Sequence, residues 1–140
     1  MKQWNGWGDD QNDLDLDLKP SALGYLQKII GPSTPLPDAT LEQAMSKVPA
    51  SRLPPHELVS LDAEDRLRHA RGQSLPDWLA MRSGEFGIFP DGVAFPTTSE
   101  QVQTLLQYAQ QHQLSVIPYG GGTSVVGHIN PEAGDRPVLT

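Results

Sequence analysis

The sequence has no cysteine, no long apolar run and no excess of basic residues, and each absence excludes a class of protein. Without cysteine among 140 residues, a disulfide framework, a thiolate metal site and a cysteine nucleophile are all excluded. With 17 acidic against 10 basic side chains, the chain lacks the basic surface that nucleic-acid binding requires. No run approaches ~18 apolar residues, so no transmembrane helix is predicted. The N-terminus also lacks the layout of a signal peptide.

Glycine, in contrast, is abundant and concentrated in one place. Three successive glycines let the backbone reach positive φ and approach another group closely. Exposed N–H groups in such a turn form a concave anion site, and two neighbouring hydroxyls add donors. The segment is therefore predicted to cradle a pyrophosphate, and a flexible turn between two strands is the alternative. The candidate residues are Pro118, Tyr119, Gly120, Gly121, Gly122, Thr123, Ser124 and Val125.

Two familiar phosphate-binding fingerprints do not fit this glycine loop. Gly122 and Gly127 have the spacing of a Walker A motif, but His128 stands where its lysine should be. A nucleotide triphosphatase is therefore not expected. Val125 occupies the third glycine position of a Rossmann fingerprint, so the loop belongs to another nucleotide-binding fold.

The elements around the loop follow the order strand, helix, strand, loop. An apolar run over Val93–Phe95 predicts a strand, and Thr97 is the expected N-cap of the helix that follows. That helix fades near His112, and Val116 begins the next strand. This βαβ-type unit places the loop at a strand's carboxyl end, where open α/β sheets usually bind ligands. The context favours the phosphate interpretation. Helical spacing puts four apolar residues on one face: Val102, Leu105, Leu106 and Ala109.

The region before residue 86 is predicted to be mainly helical, with four short helices. Their expected positions are Ser21–Gly31 with Ser21 as the cap, a helix opened by Thr40, Asp62–Ala70, and a helix from Ser74 closed by Gly84. Gly72 is expected in the left-handed conformation after the third helix. Trp4 and Trp7 predict a compact turn that docks onto a core or a partner.

An alternation of aspartate and leucine over residues 13–18 predicts an extended edge segment. An EF-hand is excluded there because Leu18 replaces its invariant glycine and Gly24 its last glutamate. At the other end, residues 138–140 look like the start of a strand. A lone βαβ unit cannot cover both faces of a parallel sheet, so we expect the N-terminal part of a longer protein.

The segments Pro90–Thr98 and Gly120–Ser124 together resemble the first half of an FAD-binding domain. The type is that of the vanillyl-alcohol oxidase / p-cresol methylhydroxylase flavoproteins. The alkylglycerone-phosphate synthase (alkyl-dihydroxyacetone-phosphate synthase) family is especially similar, on Trp4–Gly8, on Asp65-Arg66 with Ala70 and Gly72, and on Leu79–Gly84 with Arg82. D-lactate and glycolate dehydrogenases share the glycine loop, so the loop indicates FAD more firmly than a substrate.

The resemblance implies an α+β fold in two parts. Residues 1–85 form a helical or extended N-terminal region, and residues 86–140 form the first, incomplete subdomain of a PCMH-type FAD-binding domain. Residues 118–125 are then expected to form the FAD site, with the N–H groups of Tyr119 to Val125 and the hydroxyls of Thr123 and Ser124 holding the pyrophosphate. Thr123 stands where relatives with a covalent flavin often have histidine, so FAD is expected to be noncovalent. His69 and His128 are expected to be structural or surface residues, and no metal site is expected.

The activity implied is that of a synthase acting on a small-molecule or lipid-phosphate substrate. Flavin N5 is thought to act on the ketone phosphate, and an acyl group is exchanged for a fatty alcohol without net redox. The catalytic residues are expected beyond Thr140. An FAD-linked 2-hydroxyacid dehydrogenase or oxidase and a non-catalytic anion-binding module are the alternatives. The expected location is cytoplasmic, peripheral to a membrane if the substrate is a lipid, and a homodimer is left open.

Overall fold

The computed structural model describes residues 3–8, 18–34 and 37–140. Within these residues the helices are α1 (Pro20–Ile30), α2 (Leu41–Met45), α3 (Ala63–Arg68), α4 (Leu75–Ser83) and α5 (Ser99–Gln111). The strands are β1 (Val59–Ser60), β2 (Val93–Ala94), β3 (Ser115–Val116) and β4 (Val138–Leu139). The chain is thus α+β, as expected. Most of the alternating segment at residues 13–18 lies outside the described residues. No described helix is long and apolar enough to cross a membrane.

The predicted crossover from β2 through α5 to β3 is present, but the two strands are not neighbours. β1 pairs with β2 antiparallel, and β3 pairs with β4 in parallel. A parallel bridge between Gly92 and Leu139 places β4 beside β2. The N–H of Ala94 donates to the carbonyl of Thr140 at 2.8 Å, which extends that contact. The backbone order is therefore β1, β2, β4, β3, with β4 inserted into the βαβ unit.

Two apolar clusters form the interior. The first joins α2, α3 and α4 to the segment before β2: Ala44, Leu67, Ala70, Met81, Phe86 and Phe89. Trp4 packs against it and stacks on Phe86 with ring centroids 6.2 Å apart, as the tryptophan prediction required, whereas Trp7 is half exposed. The second cluster packs α5 on the sheet: Leu53, Leu105, Tyr108 and Leu139. Leu53 belongs to the N-terminal region, so that region contributes to the core under the sheet.

The helix caps agree with the sequence at two positions and correct it at two others. Thr40 and Ser74 both form complete capping boxes. At α1 the N-cap is Lys19, not Ser21, and its side chain makes no capping bond. The reason is that Pro20 fits the first helical position, where a missing N–H costs nothing.

At α5 the cap is Thr98 rather than Thr97. The Thr98 hydroxyl accepts from Gln101 N at 3.3 Å, while the Gln101 side chain accepts from Thr97 N at 2.7 Å. Two adjacent threonines can share one glutamine in this way, so the local pattern alone does not identify which of them caps the helix.

An ion pair between half-exposed Arg52 and buried Asp91 ties the N-terminal region to the sheet. Asp91 is 4% exposed and accepts hydrogen bonds from Arg52 Nε at 2.9 Å and from Val138 N at 2.8 Å. Burial raises the pKa of the Asp91 carboxyl, but the bonds from Arg52 and Val138 lower it more, so the pKa lies below its ordinary value of 3.8. The carboxylate therefore joins residue 52, the segment before β2 and the start of β4.

Candidate functional site

The glycine loop leaves the carboxyl end of β3, where the sequence places it. Gly122 has φ +68°, the left-handed conformation that glycine adopts readily. A Cβ at this position would lie 2.2 Å from the Tyr119 hydroxyl oxygen. Tyr119 therefore folds back over Gly122 and closes the loop into a tight turn. Burial raises the pKa of the Tyr119 hydroxyl, and the charge of Asp77 raises it further, so the hydroxyl is a donor at neutral pH.

Gly120 and Gly121 face open space. A Cβ on Gly120 would meet no atom within 4 Å, and one on Gly121 would meet only Thr123 Cγ2, at 3.6 Å. Pro118, Thr123 and Val125 are exposed beside them, and Ser124 is half buried. Backbone without side chains, next to exposed hydroxyl groups, leaves room for a bulky anion to approach the chain.

Two cavities border this open stretch. The larger has a volume of about 510 Å³, and its mainly apolar lining includes Phe95, Val102, Leu106 and Tyr119. The smaller, about 290 Å³, is lined by Trp4, Arg68, Arg71 and the loop residues 119–121. The apolar face predicted for α5 differs in exposure along the helix. Leu105 and Ala109 are buried, whereas Val102 and Leu106 are exposed. Leu105, Val102 and Leu106 all border the larger cavity.

The basic and imidazole side chains highlighted by the sequence make structural contacts. Arg66 is buried, and its Nε and Nη1 each donate to a carbonyl oxygen, of Pro90 and Pro49, at 2.7 Å. His69 lies edge-on to Tyr119 and its Nδ1 is 2.7 Å from the Asp65 carbonyl.

The loop also has neighbours that sequence reasoning missed. Gly72 and Gln73 lie in the turn between α3 and α4. The N–H of Gln73 donates to the carbonyl oxygen of Ser124 in the loop, and the N–H of Gly72 donates to the side-chain oxygen of Asn130, which follows the loop. Gly72 was expected at positive φ, and that expectation is wrong, because its φ is not positive. Its glycine is required by a close approach to Ser124 instead. Helix α3 ends at His69, its C-cap, so Gly72 is not needed to end the helix. A glycine beyond the helix end was the sequence signal for this close approach.

Comparisons with known proteins agree with this geometry. Residues 90–135 match the family described as FAD binding domain. The alkyldihydroxyacetonephosphate synthase of Trypanosoma brucei brucei is 26% identical over 92% of this chain and 26% of that protein. A solved alkyldihydroxyacetonephosphate synthase structure, in P1, superposes with a TM-score of 0.74 at 25% identity, covering 99% of this chain and 31% of the other. The mitochondrial cytochrome D-lactate dehydrogenase of Arabidopsis thaliana is 39% identical over 32% of this chain and 8% of its own length.

The chain therefore carries FAD-binding-domain sequence of the kind found in flavoenzymes, and the family is enzymatic. Within that class, similarity to the alkyldihydroxyacetonephosphate synthases extends over nearly all of the chain. It spans between a quarter and a third of the length of the synthases it matches.

Proposed function

We propose that residues 118–125 hold the pyrophosphate of a noncovalently bound FAD. We also propose that residues 86–140 are the first part of the cofactor domain, and that residues 1–85 form a helical or extended N-terminal region that packs against it. The open backbone at Gly120 and Gly121 carries this proposal. The two glycines lack Cβ atoms and so leave space that side chains would fill. Thr123 is exposed beside them, and the Ser124 hydroxyl is 3.0 Å from His128 Nδ1; both hydroxyls are proposed as further donors to the pyrophosphate. Threonine at position 123 cannot form the histidine linkage of covalent flavoproteins.

The activity we propose for the whole protein is the exchange of an acyl for an alkyl group on an acylated dihydroxyacetone phosphate. The extent of similarity supports this choice, because the synthases match the N-terminal region as well as the loop, over 92–99% of the chain. Bound FAD would supply the reactive isoalloxazine ring. The role of the loop residues is to bind and orient the cofactor's phosphates; the residues that act on the substrate are expected outside this chain.

A ketone-phosphate lipid as substrate favours a cytoplasmic protein at a membrane surface. We propose that the full-length protein is a homodimer. Light scattering of the full-length protein tests this. The substrate is tested with full-length protein, an acyl ketone phosphate and a long-chain alcohol. Ether product and released fatty acid are the expected result. Flavin released into the supernatant by acid precipitation is expected to account for all the bound cofactor.

An FAD-linked 2-hydroxyacid dehydrogenase is the second candidate, favoured by the 39% identity to a D-lactate dehydrogenase over part of the chain. In that case D-lactate or glycolate would bleach the flavin anaerobically, and no ether would form. Bound flavin without either reaction would indicate a non-catalytic binding module.

Replacing Gly121 by valine tests the cradle directly. A Cβ at this position makes only an ordinary contact, with Thr123 Cγ2 at 3.6 Å, and φ is not positive, so the backbone conformation suits a residue other than glycine. The branched side chain would instead enter the space assigned to the pyrophosphate, so we expect FAD occupancy to fall at least tenfold. Gly134→Val is the matched control, since a Cβ on Gly134 also meets nothing within 4 Å. Wild-type occupancy in Gly121→Val would exclude the cradle.

A further inference from the structure

The turn between α3 and α4, residues 69–74, is bonded to both arms of the glycine loop. On one arm, the N–H of Gln73 donates to the carbonyl oxygen of Ser124 at 2.6 Å. On the other, the Tyr119 hydroxyl lies 3.2 Å from the carbonyl oxygens of both Arg68 and Arg71. The two arms of the loop are therefore attached to one short piece of backbone some fifty residues earlier in the sequence.

Gly72 lets these two backbones meet. Its own N–H donates to Asn130 Oδ1 at 3.0 Å. A Cβ on Gly72 would lie 2.4 Å from the Ser124 carbonyl oxygen, far closer than any real contact. The obstructing atom belongs to the backbone and cannot rotate away, so any side chain at position 72 must push the loop and the turn apart.

Asn130 and Asp77 secure the same junction. Asn130 Nδ2 donates to Asp77 Oδ1 at 2.6 Å, while Asp77 Oδ2 accepts from Ser74 N at 3.1 Å in the α4 capping box. Asp77 is 2% exposed. The chain after the loop is thus fixed to the first turn of α4, and α4 in turn packs on the first apolar cluster through Met81.

From these contacts we propose that the α3–α4 turn is a positioning element for the cofactor loop. It holds the loop in its binding shape before FAD arrives, with Gly72 as the residue that sets the spacing. This inference rests on the proposed function, because it assumes that the loop binds FAD. A ligand binds more tightly to a site that is already ordered, since less conformational entropy is lost on binding. FAD affinity should therefore depend on residues that do not touch FAD.

Gly72→Ala in the full-length protein tests the proposal, with Gly134→Ala as the matched control. FAD affinity is measured by the quenching of flavin fluorescence on titration into apoprotein. We expect the Kd for FAD to rise at least tenfold in Gly72→Ala and to stay within twofold of wild type in Gly134→Ala. In apoprotein, amide exchange of residues 120–124 should accelerate in Gly72→Ala while exchange in the α5 core stays unchanged.

Tyr119→Phe is the second variant, in case Gly72→Ala does not fold. It keeps the ring over Gly122 and removes only the bond to the turn, so we expect a threefold to tenfold rise in Kd with little change in the melting temperature of the apoprotein. An unchanged Kd in Tyr119→Phe and in any folded Gly72→Ala overturns the positioning role. Wild-type protein without affinity for FAD would instead overturn the proposed function, and this inference with it.

Discussion

Helices α1 and α5 have similar apolar periodicity but opposite surroundings. In α5, Leu105 and Ala109 are buried against the sheet, and the Tyr108 hydroxyl donates to the Pro54 carbonyl at 2.7 Å. In α1 no residue is buried, and Ile30 is 76% exposed. The difference shows that an apolar stripe predicts a helix but does not say what the stripe contacts.

The second difference lies in how the two helices begin. The hydroxyl of Thr98 satisfies an N–H in the first turn of α5, whereas Lys19 offers α1 no side-chain acceptor. An N-cap of this kind stabilises a helix by about 1 kcal/mol. Helix α5 is therefore stabilised by a side-chain cap and by packing, whereas α1 has neither within the part of the chain that the structure describes.

The largest effect is expected where the sheet beneath α5 is joined to the N-terminal region. Asp91→Asn keeps the side-chain volume but removes the charge that Arg52 and Val138 N contact. Asparagine keeps one acceptor oxygen, so the two hydrogen bonds at the other carboxylate oxygen, from Arg52 Nη2 and Val138 N, are lost. Each hydrogen bond to a charged group contributes about 1.5–3 kcal/mol, so the free energy of unfolding in urea should fall by about 3–5 kcal/mol. A loss below about 1 kcal/mol would mean that the pair does not hold the sheet.

The pH dependence of the folding stability gives a second test of the Asp91 carboxylate. Because the pKa of Asp91 is lowered in the folded protein, its stabilisation is fully present above the ordinary value of 3.8. It is lost as the pH falls through the folded pKa. The difference in stability between wild type and Asp91→Asn should therefore be constant near neutral pH and shrink below about pH 4.

Sequence patterns predicted the local features of this molecule better than its long-range ones. The N-caps Thr40 and Ser74, the end of α4 at Gly84 and the glycine loop after β3 all depend on neighbours within a few residues. The close approach of Gly72 to Ser124 and the insertion of β4 between β2 and β3 do not. They join segments between about 20 and 50 residues apart, which no local period encodes.

The next largest expected effect is the loss of stability when a buried leucine of α5 is truncated, compared with an exposed one. Leu105 is 7% exposed and contacts the second apolar cluster, whereas Leu106 is 55% exposed at the larger cavity. We expect Leu105→Ala to lower the free energy of unfolding by about 2–4 kcal/mol through lost burial and the cavity left behind. Leu106→Ala, the same change one residue along, should cost less than about 0.5 kcal/mol. Equal losses would show that the face at the cavity is covered in the folded protein.

The smallest effect concerns α1 and tests whether it folds as part of the whole. Gly24 lies in the middle of α1, and a Cβ there would meet no atom within 4 Å. Alanine in a helix interior is about 1 kcal/mol more favourable than glycine, so Gly24→Ala should slow amide exchange within α1 about fivefold. Since α1 buries no residue, that gain should stay local and leave the urea midpoint of global unfolding unchanged. If the urea midpoint rises as far as a gain of about 1 kcal/mol in global stability requires, α1 unfolds together with the core, and the contrast with α5 no longer holds.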